Sequence, residues 1–161
     1  MARYDNEIRI TPSVLDRLID EEPTISTEAP ASRPKSMRQL KLAVRRDLEW
    51  LLNTRQIVGG VPSDLKETTN SLANFGLPDF TSYSIKSPAE RNKVRRALET
   101  AISIFEPRLD DVTVSIDPMR ETERVIKFRV DARLKVEPVP EPITFDTVLQ
   151  LGSGQYLVQG D

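Results

Sequence analysis

The sequence predicts an α+β fold, with helices packed on one face of a small antiparallel sheet formed mainly by the C-terminal half. Up to about Phe105, apolar residues recur at the three-and-four spacing of amphipathic helices. After Leu109 the apolar period changes to two, which is typical of strands with one buried face. Helices followed by strands within 161 residues favour an α+β fold over alternating βαβ units.

Two helices and a linker are predicted in the first third of the chain. Thr11 and Pro12 are suited to cap a short helix that carries Ile10, Val14, Leu15, Leu18 and Ile19. Residues 20–35 contain three prolines and few apolar side chains, which indicates a linker. Ser36 is then expected to cap a long helix to about Arg55, with one apolar face for core packing. We therefore divide the chain into residues 1–35, a short helix and a Pro-rich linker, and residues 36–161, the α+β domain.

A third long helix is predicted from Ser87. Ser87 is a suitable N-cap, Pro88 a suitable first residue, and Glu90 has the spacing of a capping box. Pro107 disfavours helical geometry at Glu106, so the helix should end there. Its buried stripe is expected to be Val94, Ala97, Leu98, Ala101, Ile102 and Phe105. Before it, a short helix should end at Phe75, just ahead of Gly76 and Pro78.

Four strands are predicted after the last helix, at about residues 112–116, 126–136, 143–151 and 155–158. The second strand alternates apolar residues with mainly basic ones, so it should have one buried face and one charged face. That charged face is either solvated or a docking surface for an acidic protein. Pro138, Pro140 and Pro142 predict an extended connector outside the middle of a sheet.

Composition excludes several classes of protein. The formal net charge of −2 argues against a nucleic-acid-binding protein. Cysteine and histidine are both absent, which removes disulfides, the usual zinc sites and every Ser-His or Cys-His catalytic arrangement. The six glycines form no phosphate-binding loop, and no apolar run is long enough to cross a bilayer. We expect a soluble protein without a cleaved signal, cofactor or metal.

Paired carboxylates are the remaining candidates for catalysis. They occur as Glu21-Glu22 and Asp110-Asp111, and two carboxylates suffice for glycoside hydrolysis when one lies in an apolar pocket. Both pairs have the sequence context of loop or strand-edge charge. A carboxylate-based peptidoglycan hydrolase, a muramidase, is therefore kept only as the alternative to a structural protein.

The segment Glu106-Pro107-Arg108 is the candidate binding site. In an extended segment, residues two apart lie on the same side, so Glu106 and Arg108 should be neighbours of opposite charge. They form either an internal ion pair or a proline-stiffened elbow that holds both charges outward for a partner. The local sequence does not decide between these two interpretations.

Four segments in this order resemble the TssE family of type VI secretion baseplate subunits, which is similar to the wedge protein of contractile-phage baseplates. They are residues 11–18 with Glu22-Pro23, the helix over residues 37–55 ending in Leu51-Leu52-Asn53-Thr54-Arg55, the turn Asn74-Phe75-Gly76-Leu77-Pro78-Asp79, and Ile104-Phe105-Glu106-Pro107-Arg108-Leu109. The likeness extends from about Arg9 to Val158.

The resemblance implies a structural subunit with no catalytic residues. It implies binding to TssF and TssG in the wedge, contact with TssK within the baseplate, and contact with the first ring of the TssB–TssC sheath. In that family the Glu-Pro-Arg segment contacts the wedge core, which maps here to Glu106, Pro107 and Arg108 as outward-facing interface residues. The sheath contact maps loosely to residues 143–158. The implied location is cytoplasmic, at the inner face of the inner membrane, without membrane insertion or nucleic acid.

Overall fold

The computed structural model describes residues 10, 12–19, 24, 33–57, 59–62, 64–80, 87–117, 125–150 and 155–160. Its helices are α1 (Val14–Leu18), α2 (Arg33–Asn53), α3 (Lys66–Thr69) and α4 (Pro88–Phe105), with a 3-10 turn at Leu72–Asn74. The helix α2 begins before the predicted cap at Ser36, and the segment that ends at Phe75 is split between α3 and the 3-10 turn. Most of the predicted linker, including Glu22-Pro23, lies outside the described residues.

The sheet has four strands: β1 (Leu109–Ile116), β2 (Val125–Leu134), β3 (Glu141–Gln150) and β4 (Gln155–Gly160). Their spatial order is β1-β2-β3-β4, and each strand is antiparallel to its neighbours in sequence. The edges of the sheet are therefore β1 and β4. This arrangement confirms the predicted α+β fold.

One shared core joins the helices to the sheet. It is built from alternate residues of the strands and from single stripes of α2 and α4, as the periodicities predict. The stripe of α4 consists of Val94, Leu98, Ala101 and Ile102, all buried, with Ala97 and Phe105 at its margin. Burying each of the larger side chains contributes about 1.5–3 kcal/mol.

The charged face of β2 is matched by acidic residues on its two neighbours. Arg129 Nε lies 3.0 Å from Asp146 Oδ1 on β3, and Nζ of Lys135, the residue after β2, lies 3.0 Å from Asp110 Oδ1 on β1. Arg133 pairs with Asp111. These exposed pairs are screened by water and add little stability. Because much of the basic charge is already neutralised within the sheet, the structure favours a solvated face over a docking surface for an acidic protein.

The structure corrects the predicted capping of α1 and α4. The N-cap of α1 is Ser13, whose Oγ accepts from Asp16 N. The Ser13 backbone N–H in turn donates to Asp16 Oδ2. The predicted cap, Thr11, lies outside the described residues. Ser87 is the N-cap of α4 and Pro88 its first residue, as predicted, but Ser87 makes no side-chain cap bond. The Ser87 side-chain bond of the predicted capping box with Glu90 is therefore wrong.

Pro142 is a further correction, because it lies inside β3, opposite Arg133 of β2. The prediction assigned it to an extended connector. Proline is tolerated at this position because β4 pairs with β3 only from Phe145 onward, which leaves β3 with a single neighbour at Pro142.

A tight turn at Gly76 ties the segment after the 3-10 turn to the end of α2. Leu77 N donates to Thr54 O at 2.9 Å, and Gln56 N donates to Leu77 O at 3.0 Å. Gly76 has a φ of 111°, and a Cβ at this position would lie 2.6 Å from Thr54 O. Glycine is therefore needed both for its conformation and for the close approach of two backbones.

We predict that Gly76→Ala lowers the free energy of unfolding by about 2–4 kcal/mol, since it adds a backbone clash to the strain of a left-handed residue. Chemical denaturation measures the loss. The matched control is Gly60→Ala, because Gly60 has a φ of 67° but open space around its Cα. Equal losses in the two variants would contradict the role assigned to the approach of Thr54.

Candidate functional site

The elbow between α4 and β1 is built by Glu106, Pro107 and Arg108. Glu106 is the C-cap of α4, with φ −120° and ψ 76°, and its N–H donates to Ile102 O at 2.8 Å. Pro107 cannot continue the helix, as predicted, and it is exposed. The chain enters β1 at Leu109, whose N–H donates to Glu106 O at 3.1 Å.

Glu106 and Arg108 are paired within the chain. Arg108 Nε donates to Glu106 Oε1 at 2.6 Å, Arg108 Nη2 donates to Glu106 Oε2, and the Arg108 backbone N–H also reaches Oε1 at 3.3 Å. Glu106 is only 3% exposed. The prediction that both charges face outward is therefore wrong for Glu106, because its carboxylate is turned inward and accepts a bidentate guanidinium.

Asp47 of α2 connects this pair to a second arginine. Asp47 Oδ2 accepts from Arg108 Nη2 at 2.6 Å, and Asp47 Oδ1 accepts from Arg46 Nε at 2.9 Å and Nη2 at 2.8 Å. Arg46 Nη2 also donates to Asp16 Oδ1 of α1 at 2.8 Å. We call these five residues, Asp16, Arg46, Asp47, Glu106 and Arg108, the charge cluster. It joins α1, α2 and the elbow.

Hydrogen bonds and neighbouring charges favour the ionised forms of Arg108, Arg46 and Asp16. Burial lowers the pKa of Arg108, but the hydrogen bonds and charge of Glu106, and then of Asp47, raise that pKa above its ordinary value. Burial raises the pKa of Asp16, but bonds from Ser13 and Arg46 and the charge of Arg46 lower it overall. The guanidinium groups and the Asp16 carboxylate are thus held in their charged states.

Arg108 keeps part of its surface exposed in spite of these contacts. Its side chain is 24% exposed, and its Nη1 is a buried donor with no hydrogen-bond partner among the described residues. A guanidinium presents five N–H donors in a fixed plane. Because Glu106 and Asp47 hold Nε and Nη2 of Arg108, the orientation of the whole guanidinium group is fixed. The elbow therefore holds a pre-oriented arginine beside an exposed proline.

Asp110 and Asp111, the described carboxylate pair, lie in an exposed environment. Asp110 and Asp111 have side chains 55% and 67% exposed, in ion pairs with Lys135 and Arg133. Asp111 lies in a β-bulge with φ 51°, on the open face of the sheet. Glu21-Glu22 lies outside the described residues. Neither Asp110 nor Asp111 has the apolar pocket that a general acid requires.

The described residues contain neither a metal-binding group nor a membrane-spanning helix. No group of three or more His, Cys, Asp or Glu side chains is placed to hold a metal ion there. None of the described helices combines the length and the apolar character needed to span a membrane.

Sequence reasoning missed Asp47, Arg46 and Asp16 as parts of the site. A signal for Asp47 was present, because it lies three residues after Val44 and four before Leu51, on the apolar stripe of α2. A carboxylate on a buried stripe needs a cationic partner. Nothing in the sequence identifies Arg108, 61 residues away, as that partner.

We predict that Asp16 makes the docking of α1 dependent on pH. Because the pKa of Asp16 is lowered in the folded state, its ionised form stabilises the fold above about pH 4, and this contribution is lost as pH falls through the lowered value. Trp50, the only tryptophan, reports the change, since Arg46 Cζ lies 5.1 Å from its ring centroid. Asp16→Asn should shift Trp50 emission at pH 7 towards that of the acidified wild type.

The matched control for this fluorescence titration is Asp146→Asn, which removes a carboxylate paired with Arg129 on the opposite, exposed face of the sheet. It should leave Trp50 emission unchanged at pH 7. If Trp50 emission in the Asp16→Asn variant equalled that of the wild type, the position of Arg46 beside Trp50 would not depend on Asp16.

Comparison with known proteins gives the family. Residues 38–139 match a family model described as baseplate wedge protein gp25. The matched range holds the elbow, with Glu106 and Arg108, and their partner Asp47. A search of curated proteins found no match. TssE belongs to the matched family, so the resemblance seen in the sequence is confirmed. Since the match covers more than half of the chain, this protein belongs to the gp25 family of baseplate wedge proteins.

Proposed function

We propose that this protein is the TssE-type structural subunit of a type VI secretion baseplate wedge. In this proposal it binds the helical bundle of TssF and TssG, lies with TssK in the baseplate, and contacts the first ring of the TssB–TssC sheath to start sheath assembly. It acts in the cytoplasm, at the inner face of the inner membrane. The observation that carries the proposal is the pre-oriented Arg108 at the elbow, in a chain of the wedge family.

The three elbow residues have different parts in the proposed contact with TssF and TssG. Glu106 is a positioning residue, because it is buried and its carboxylate is occupied by Arg108. Arg108 supplies the binding group, and Pro107 supplies an exposed, rigid surface beside it. A partner would contact the exposed part of the Arg108 side chain, which is 24% exposed, because Nη1 itself is buried.

Pre-orientation of Arg108 favours a tight and specific contact. A free arginine side chain loses rotamer freedom when it is fixed at an interface, which costs about 0.5–1.5 kcal/mol. In the charge cluster Glu106 and Asp47 already impose that order during folding. The proposed partner therefore binds an arginine whose conformation is fixed beforehand.

The proposed sheath contact uses the C-terminal sheet. Residues 143–158 fall largely in β3 and β4, and β4 is an edge strand. An edge strand presents backbone donors and acceptors along its open side, so an extended segment of another protein can add to it. The muramidase alternative finds no comparable support, because Asp110 and Asp111 are exposed and paired with basic residues.

We predict that Arg108→Lys weakens binding to a purified TssF–TssG complex by roughly 10- to 150-fold, as expected for loss of a charged hydrogen bond worth about 1.5–3 kcal/mol. Lysine keeps a positive charge near Glu106 but lacks the planar fork. Isothermal titration calorimetry measures the affinity, and thermal unfolding checks that the variant is folded. Glu106→Ala is less informative, since it would leave Arg108 without its main partner and lower stability.

The control is Arg133→Lys, the same substitution at an arginine on the far face of the sheet, paired with Asp111. It should bind TssF–TssG like the wild type. If a folded Arg108→Lys variant retained wild-type affinity, Arg108 would have only its internal role in the charge cluster.

A further inference from the structure

Each edge strand of the sheet is hydrogen-bonded through its backbone to a side chain of a helix. On β1, Glu99 Oε1 of α4 accepts from the backbone N–H of Val114 at 3.0 Å. Glu99 is itself held by Arg95 Nη1, which donates to both carboxylate oxygens at 2.8 and 2.9 Å. Successive N–H groups along a strand point to opposite sides. Asp117 N donates to Lys127 O of β2, so the N–H of Val114, three residues earlier, points away from β2.

On β4, the side-chain amide of Asn53 binds both backbone groups of one residue. Tyr156 N donates to Asn53 Oδ1 at 2.8 Å, and Asn53 Nδ2 donates to Tyr156 O at 2.9 Å. This is the donor and acceptor pair that a residue of a neighbouring strand would offer. Asn53 thus occupies, for one residue, the position of a fifth strand next to β4.

The backbone that Asn53 binds is fixed in place. Tyr156 is 2% exposed, and its ring stacks on Phe128 with 6.0 Å between centroids. Asn53 is fixed as well, because it is the last residue of α2 and its Nδ2 also donates to Glu49 O at 2.8 Å. The two bonds are therefore part of the folded architecture and define the outer edge of β4 at Tyr156.

The two edges differ in how easily these bonds can be exchanged. The Asn53 amide is neutral, and a strand pairing with Tyr156 would replace its two bonds with two of the same kind, at little net cost. Glu99 is charged and held by Arg95, and charge-assisted bonds are stronger. β1 also carries a register shift between Asp110 and Thr113, which disrupts regular pairing.

We propose that Asn53 is an internal substitute for an incoming strand: it holds the β4 edge at Tyr156 and is displaced when an extended segment of the sheath protein pairs along β4. Glu99 and Arg95 keep the β1 edge closed, so a strand is added at one edge of the sheet only. The identity of the added strand rests on the proposed function, whereas the edge contact of Asn53 does not.

The test compares the full-length wild type with Asn53→Ala. Amide hydrogen exchange in the isolated protein should show at least about tenfold faster exchange at Tyr156 in the variant, with Val114 unchanged. Affinity for a purified TssB–TssC complex should rise by a factor of roughly 5–30, because the intramolecular competitor and its two hydrogen bonds are gone. The control Asn70→Ala removes an exposed asparagine at the end of α3 and should match the wild type in both assays.

A second variant keeps the proposal testable if Asn53→Ala folds poorly. Asn53→Asp retains an acceptor for Tyr156 N–H but has no donor for Tyr156 O, so its sheath affinity should also exceed that of the wild type. Unchanged exchange at Tyr156, or sheath affinity no higher than wild type in a folded variant, would overturn the proposal. A different outcome is that Asn53 protects the Tyr156 amide from exchange but neither the wild type nor any variant binds the sheath complex. That outcome would overturn only the proposed function.

Discussion

The pair of buried Glu106 and partly exposed Arg108, anchored on Asp47, is the constraint on which the architecture depends. It lies where the helical layer passes into the sheet: Glu106 caps α4, and Arg108 O accepts from Lys135 N at 2.8 Å next to the end of β2. A carboxylate that is 3% exposed must be neutralised, and Arg108 is the cation that does so. Because Asp47 holds the same guanidinium, the direction of α4, the start of β1 and the position of α2 are fixed together.

Much of the fold could be predicted from local sequence. The end of α4 follows from Pro107, and the two faces of β2 follow from strict alternation, since both effects act over a few residues. The charge cluster could not be predicted in the same way. Its bond between Arg108 and Asp47 joins residues 61 positions apart, and the orientation of Glu106 depends on where α2 lies. Local geometry gave the proximity of Glu106 and Arg108 correctly, but not whether they face solvent or the core.

The two proposed contact surfaces, the elbow and the edge of β4, would use different kinds of recognition. At the elbow, an arginine is held by two carboxylates, so specificity comes from a charged group of fixed orientation. At the sheet, backbone groups dominate, and their recognition depends on strand geometry more than on side-chain identity. In the proposed wedge subunit, this separation would allow one contact surface to change without disturbing the other.

The bonds between Asn53 and Tyr156 also bear on the order of folding. They join residues 103 positions apart, whereas each strand of the sheet pairs only with its neighbours in sequence. Contacts of low sequence separation require less loop closure and form earlier. We therefore expect the β-meander to assemble first and α2 to dock on β4 late, with the bonds between Asn53 and Tyr156 among the last to form.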